Sequence, residues 1–354
     1  MQKLEFELAD GWSEVAPRSD APSLVVEDSG RLLHLNGDLS LQHDFGEVGP
    51  VECPIAYDPT GCRAYRYVCA KGFARKDFSE LRCYDLHDRS SETLLSLPLN
   101  RWVLWELEWV ASQTGGAGQL FGLIATDRPA EGRVVIEHQL FALKPGETGT
   151  ALRPLCRDAY RPLAFSRRRR QMIFSGAEGI YLVGLNGRRL LTASVPEVNG
   201  DGACFAPDGS ARALISTEGL YLWNLEYNRC ERVVRSGHHP LWAADGAGFW
   251  FRRSSADLFY YDFASKETSQ LLAVKNQRNA ELWNTRAAVQ SPCGRYLAVG
   301  MTGKRLKGVT RKRDTKGEVE RVYAMEHRIV VMDLQAREFW HAEGQANQLT
   351  WINE

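Results

Sequence analysis

The chain lacks any excess of charge: 44 Lys and Arg stand against 44 Asp and Glu in 354 residues. Binding to nucleic acid or an anionic membrane through bulk charge is therefore disfavoured, although a local patch is not. It also lacks a long apolar run, and no stretch approaches the ~18 residues that a membrane helix requires. Met1 to Asp10 show no basic segment followed by an apolar one, so no secretory leader is read and a cytoplasmic protein is expected. What the chain does have is aromatic residues. Ten Trp, twelve Tyr and fourteen Phe exclude global disorder and supply material for a large core.

The eight cysteines, Cys53, Cys62, Cys69, Cys83, Cys156, Cys204, Cys230 and Cys293, include no CxxC pair. Without a leader they read as free thiols, mostly buried as small apolar residues, with neither disulfide nor metal site. HExxH, GxSxG and Walker A patterns are absent. Gly300 to Lys304 has the wrong spacing for a phosphate loop. His238-His239 before Pro240 reads as a surface pair, and Gly200-Asp201-Gly202 as an ordinary turn. Trp102, Trp105 and Trp109 lie in an apolar, strand-like context and read as packing rather than as a stacking platform. No cofactor, metal or catalytic residue is expected.

The dominant signal is a repeat. Phe205-Ala206-Pro207-Asp208-Gly209, Ala213 to Ser216 and Gly219 to Asn224 form one copy. Leu241 to Gly246, Phe249 to Phe251 and Leu258 to Asp262 form another. Val289 to Gly294, Tyr296 to Val299 and Ile329 to Asp333 form a third. Each reads as strand, Pro/Asp/Gly turn, strand, turn, strand ending in Asp or Asn. The turn glycine supplies the positive φ that a tight reversal needs. Phe165 to Phe205 is 40 residues and Phe205 to Trp242 is 37, close to the ~40–45 residues of a four-stranded propeller blade. First strands centre on Tyr57, Trp109, Phe165, Phe205, Trp242, Gln290 and Trp351. The last has no strands after it, whereas Leu24 to Glu27, Leu32 to Leu35 and Leu39 to Gln42 have no first strand before them. Pairing the two ends would remove both open sheet edges.

On the Pro207-Asp208-Gly209, Ala244-Asp245-Gly246 and Pro292-Cys293-Gly294 turns and the Asp85, Asp262 and Asp333 strand ends, residues 22–354 resemble the TolB-type or WD-like repeat class. The resemblance implies an all-β, seven-bladed β-propeller closed by pairing of N- and C-terminal strands, with one face presented to partners. The Trp-Asp dipeptide of WD repeats is absent, with Trp223-Asn224 nearest to it, and Arg167 to Arg169 replace the turn of the third blade. Residues 1–21 form an N-terminal extension, with a strand expected at Leu4–Leu8. Residues 22–354 form a single β-propeller domain, with a composite blade from 22–45 and 346–354 and a basic insertion at 303–327.

That insertion carries the functional expectation. Lys304, Arg305, Lys307, Arg311, Lys312, Arg313, Lys316 and Arg321 outnumber Asp314, Glu318, Glu320 and Glu326, a net charge of +4. Val319, Val322, Tyr323 and Met325 suit a hairpin extension of the flanking strands. Lys71, Arg75 and Lys76 occupy the corresponding connection of the first blade. Both blades flank the composite one, so the two basic loops are expected to share a sector of one face. Residues 1–50 are acidic by contrast, with ten acids against Lys3, Arg18 and Arg31. The expected function is a non-enzymatic protein-protein interaction module. It would bind an acidic protein surface through these basic loops, as an immunity-type inhibitor or a scaffold subunit. A solvated hairpin without a partner suits the same composition. The alternatives are an enzyme with a site at the central pore, and nucleic-acid binding through the hairpin. The second is weakened by the few aromatics among the basic residues.

Overall fold

The computed structural model describes residues 6–28, 30–47, 55–58, 62–69, 78–98, 102–110, 118–130, 133–143, 153–156, 161–166, 169–176, 178–184, 188–196, 200, 202–254, 257–274, 280–282, 288–311, 319–344, 346 and 348–352. Everything below refers to these residues. Short strands joined by turns build an all-β propeller fold, and the described strands fall into seven sheets.

Two strands, β1 (Phe6–Leu8) and β2 (Ser13–Glu14), precede the repeat. β3 (Leu24–Asp28), β4 (Arg31–Leu35) and β5 (Leu41–Glu47) belong to sheet seven, which is completed from the other end of the chain. Sheet one holds β6 (Ile55–Asp58), β7 (Arg63–Cys69), β8 (Phe78–Asp85) and β9 (Ser90–Pro98). Sheet two holds β10 (Trp102–Val110), β11 (Gln119–Ala130), β12 (Arg133–Leu143) and β13 (Arg153–Cys156). Sheet three holds β14 (Arg161–Ser166), β15 (Gln171–Gly176), β16 (Gly179–Gly184) and β17 (Arg189–Thr192). Sheet four holds β18 (Gly202–Phe205), β19 (Arg212–Ser216), β20 (Leu220–Asn224) and β21 (Arg229–Val234). Sheet five holds β22 (His238–Trp242), β23 (Gly248–Arg252), β24 (Asp257–Asp262) and β25 (Thr268–Val274). Sheet six holds β26 (Ala280–Leu282), β27 (Ala288–Gln290), β28 (Tyr296–Arg311), β29 (Val319–Asp333) and β30 (Glu338–Glu343). Finally β31 (Gln348–Trp351) pairs antiparallel with β3, placing Leu24 opposite Trp351 and Glu27 opposite Gln348.

Middle strands are apolar on both faces because each sheet is covered on both sides. β16 is buried at every position. Seven apolar clusters among the described residues each bridge two sheets. They join one to two (Tyr65, Leu120), two to three (Phe121, Phe174) and three to four (Ile173, Trp223). The others join four to five (Leu214, Phe249), five to six (Leu258, Leu297), six to seven (Val331, Val26) and seven to one (Val25, Ala64). Sheet seven shows the alternation directly. Leu24 and Val26 face sheet six, while Val25 faces sheet one.

The anchor residues at the ends of first strands latch neighbouring sheets. The Trp242 indole N–H donates to the Cys204 carbonyl at 3.1 Å. The Trp351 indole donates to the Val289 carbonyl at 2.9 Å. Gln290 does the same work with an amide, accepting from the Ala244 N–H at 2.9 Å. These bonds remove the cost of burying a polar indole edge.

The turns follow their chemistry. Gly209, Gly246 and Gly294 have φ of 76°, 71° and 78°, and Arg170 takes that place in sheet three at φ 53°. Third strands end in a carboxylate or amide that accepts from backbone N–H groups two and three residues on. Asp85, Asn224 and Asp333 all do so.

The N-terminal segment is a strap. β1 adds to the outer strand β25, with Phe6 opposite Val274, and β2 runs parallel to β30. Strand Leu4–Leu8 was expected; Phe6–Leu8 is found. Its clasp across sheets five and six was not legible, since a three-residue strand has no periodicity to read.

Candidate functional site

In an antiparallel four-stranded sheet, the connection between strands two and three lies at the same end as the connections between sheets. That end carries the long features. β28 and β29 run 16 and 15 residues, against five each for β19 and β20. Their pairing continues without a break in hand from Tyr296–Asp333 to Arg311–Val319, with one register shift between Leu306 and Gly308. The insertion is therefore a hairpin that prolongs the two strands, and Lys307 sits at its irregularity.

Lys304, Arg305 and Arg311 lie on β28 opposite Met325, Ala324 and Val319, and Arg321 lies on β29 opposite Val309. The hairpin thus gathers Lys304, Arg305, Lys307, Arg311 and Arg321 on one two-stranded ribbon. Lys312, Arg313 and Lys316, with Lys71, Arg75 and Lys76, fall outside the described residues, as does any meeting of the two loops. Gly300 to Lys304 are strand residues of β28, which disposes of the phosphate-loop pattern.

The hairpin has a built base. β26 pairs with β28, placing Ala280 opposite Gly303 and Leu282 opposite Met301, and adds a third strand there. Thr302 is buried, and its Oγ1 shares a hydrogen bond with His327 Nδ1 at 2.9 Å. Burial pushes the His327 imidazole below its ordinary range, against a smaller upward pull from Asp28. That direction disfavours its charged form. Arg328 is held by Glu343 at 3.1 Å.

Sheet two carries a second long hairpin at the same end. β11 and β12 pair from Leu120–Leu143 out to Ala130–Arg133. Only Leu120–Ile124 and Gln139–Leu143 of this hairpin read as apolar strands from sequence. The β-branched run Val134-Val135-Ile136, after the Glu131-Gly132 turn signal, would have revealed the rest.

The other constellations are quickly placed. His238 and His239 begin β22 with rings 6.2 Å apart, partly buried in a strand rather than on a surface loop. No cluster of metal-ligating side chains occurs among the described residues. Cys62, Cys83, Cys204, Cys230 and Cys293 are free. Burial pushes the thiols of Cys83 and Cys230 up to about 12 and about 11. Of these five only Cys83 is buried, which corrects the expectation of mostly buried cysteines, and Cys293 departs from it furthest. It is exposed on a turn, and its thiol is lowered. Its hydrogen bonds to Ser291 and the Arg295 backbone, with the Arg295 charge, outweigh an opposing desolvation.

No protein-family profile matches the chain, and no curated protein matches it in sequence. Solved structures do match in shape. A dihydro-heme d1 dehydrogenase, NirN, in complex with DHE, is 14% identical with a TM-score of 0.56, over 95% of this chain and 76% of its own. Kuenenia stuttgartiensis hydrazine synthase is 13% identical with a TM-score of 0.42, over 59% of this chain and 62% of its own. At such identity the first likeness speaks for the propeller fold. It also corrects one expectation, that the chain is not an enzyme. A neighbour sharing the fold over nearly the whole chain is a dehydrogenase. Catalytic groups on a propeller come from separate sheets, so the absence of a local motif does not exclude catalysis. No helix among the described residues is long and apolar enough to cross a membrane.

Proposed function

We propose that the chain binds a protein partner with an acidic surface through the face that carries the β28–β29 hairpin. The observation behind it is the hairpin itself: a paired ribbon prolonging the strands of sheet six, braced by β26, with Lys304, Arg305, Lys307, Arg311 and Arg321 along it. A net-neutral protein that concentrates basic residues on one ribbon gains encounter rate and orientation with an acidic partner. An immunity-type inhibitor and a cytoplasmic scaffold subunit are the two forms this takes.

The supporting frame is a single domain over 22–354, of the TolB-type or WD-like class, whose seven sheets we read as seven blades of a closed ring. The β3–β31 pairing and the cluster between sheets seven and one favour that reading. It places sheet seven between the hairpin and the connection that bears Lys71, Arg75 and Lys76.

Affinity capture from the native host tests the proposal. The wild-type chain should retain one protein at 50 mM salt and lose it steeply by 500 mM. The triple variant Lys304→Glu, Arg305→Glu, Arg311→Glu should not retain it. Capture of nucleic acid instead, or equal capture by the variant, contradicts the proposal.

A further inference from the structure

At the opposite end of sheets five and six lies a cleft of ≈ 770 Å³, well within the ~300–1,000 Å³ of small-ligand sites. We propose that it binds a neutral saccharide, independently of the hairpin face.

Its floor is aromatic, with the half-buried Tyr260 ring over the buried Trp250. Trp250 and Tyr260 are cross-strand partners on β23 and β24, with ring centroids 4.5 Å apart. The Tyr260 ring lies against bare backbone, because a Cβ at Gly248 would stand 2.4 Å from its hydroxyl. Burial first, then Asp245 and Asp262, push that hydroxyl up to about 12, so at neutral pH it stays protonated and able to donate.

The walls are preformed. Gln290 fastens the two turns that flank the cleft, accepting from Ala244 N–H at 2.9 Å and donating to the Gly294 carbonyl at 2.7 Å. The strap forms the roof. The Ala9 N–H donates to the Leu271 carbonyl at 2.9 Å and the Ser13 N–H to the Arg337 carbonyl at 3.0 Å. Between them Gly11 turns at φ +86°, and Asp10 and Trp12 line the cleft.

The polar groups select the ligand class. Asp10 and Asp245 disfavour an anion, and Arg337 offsets one of their two charges against a cation. Exposed carboxylates and amides disfavour a purely apolar ligand. What remains is a neutral molecule with an apolar face for the rings and many hydroxyls for Asp245, Arg337 and the amides, which is a saccharide. The volume suits two or three sugar units.

The test is a fluorescence titration of the full chain with cellotriose, maltotriose, xylotriose, mannotriose and chitotriose, since Trp12 and Trp250 report on the cleft. At least one should give a saturable change, with Kd of about 10 µM to 10 mM. Trp12→Ala should weaken it about tenfold or more. Asp245→Asn, which keeps the bond from Ala247 N–H and so leaves the turn intact, should do the same. Cys293 lines the cleft, so saturation should also slow its alkylation by iodoacetamide. Deleting 305–322 should leave all of this unchanged, which separates this site from the hairpin's. No saturable change with any of the five up to about 10 mM, or affinity untouched by both substitutions, overturns the proposal.

Discussion

The Trp340 indole N–H donates to the carbonyl of Gly37 at 3.0 Å, across 303 residues of chain. Trp340 is fully buried between sheets six and seven. Gly37 has no room for a side chain, since a Cβ would lie 2.0 Å from the Ala21 carbonyl oxygen. One bond thus ties the last complete sheet to the sheet that the two chain ends share.

Gly37→Ala should therefore destabilise the protein by about 1–3 kcal/mol or more, through overpacking against backbone that cannot give. Trp340→Phe keeps most of the apolar area but orphans the Gly37 carbonyl, and should cost about 1–3 kcal/mol. Urea unfolding measures both. Wild-type midpoints in either variant would show that this junction is slack.

Sheet seven is also held to sheet one by charge. Arg66 and Glu27 are both fully buried, with Nη2 and Oε1 3.9 Å apart, and the same oxygen accepts from the Gly30 N–H at 2.6 Å. Arg66→Met leaves a carboxylate in an apolar junction and should cost about 3–5 kcal/mol. Adding Glu27→Leu should return most of that loss, because the pair's two desolvation costs vanish together. A double variant no more stable than the single would contradict this role.

His34 supplies a pH signature. It is buried on β4, and neither ring nitrogen has a hydrogen-bond partner among the described residues. Burial, then the nearby His43 and Arg89, lower its pKa to about 4, below the ~6.5 of an unfolded chain. Between those values the unfolded state binds more protons. The stabilisation is complete above pH 6.5 and is lost as pH falls towards 4. In His34→Leu the fall in melting temperature between pH 7 and pH 4.5 should be visibly shallower. An identical slope would mean that other groups set it.

Much of this was legible from spacing. The anchors Trp242, Gln290 and Trp351 were found as repeated first-strand ends. They are the residues whose polar edges latch neighbouring sheets, so selection for one geometry leaves a period in the sequence. Gly209, Gly246 and Gly294 were legible because only glycine takes positive φ without strain. Arg170 was not, because the sheet imposes the conformation against the residue's preference. The hairpin of sheet six announced itself by a connection too long for a tight turn. That of sheet two hid because Asp127 to Ala130 lack a strand's alternation, although the β-branched residues Val134 to Ile136 that pair with them carry a strand signal. The cleft was invisible for a different reason. Trp12, Asp245, Trp250 and Arg337 come from the strap and from two sheets, and no local pattern encodes that meeting.

The most direct test of the account replaces residues 305–322 by a two-residue Asn-Gly turn, with melting temperature and partner capture measured on the same preparation. The propeller sheets do not depend on the ribbon, so the melting temperature should stay within about 3 °C while the captured partner disappears. A variant that unfolds would make the ribbon structural, and one that still holds its partner would place the interface elsewhere.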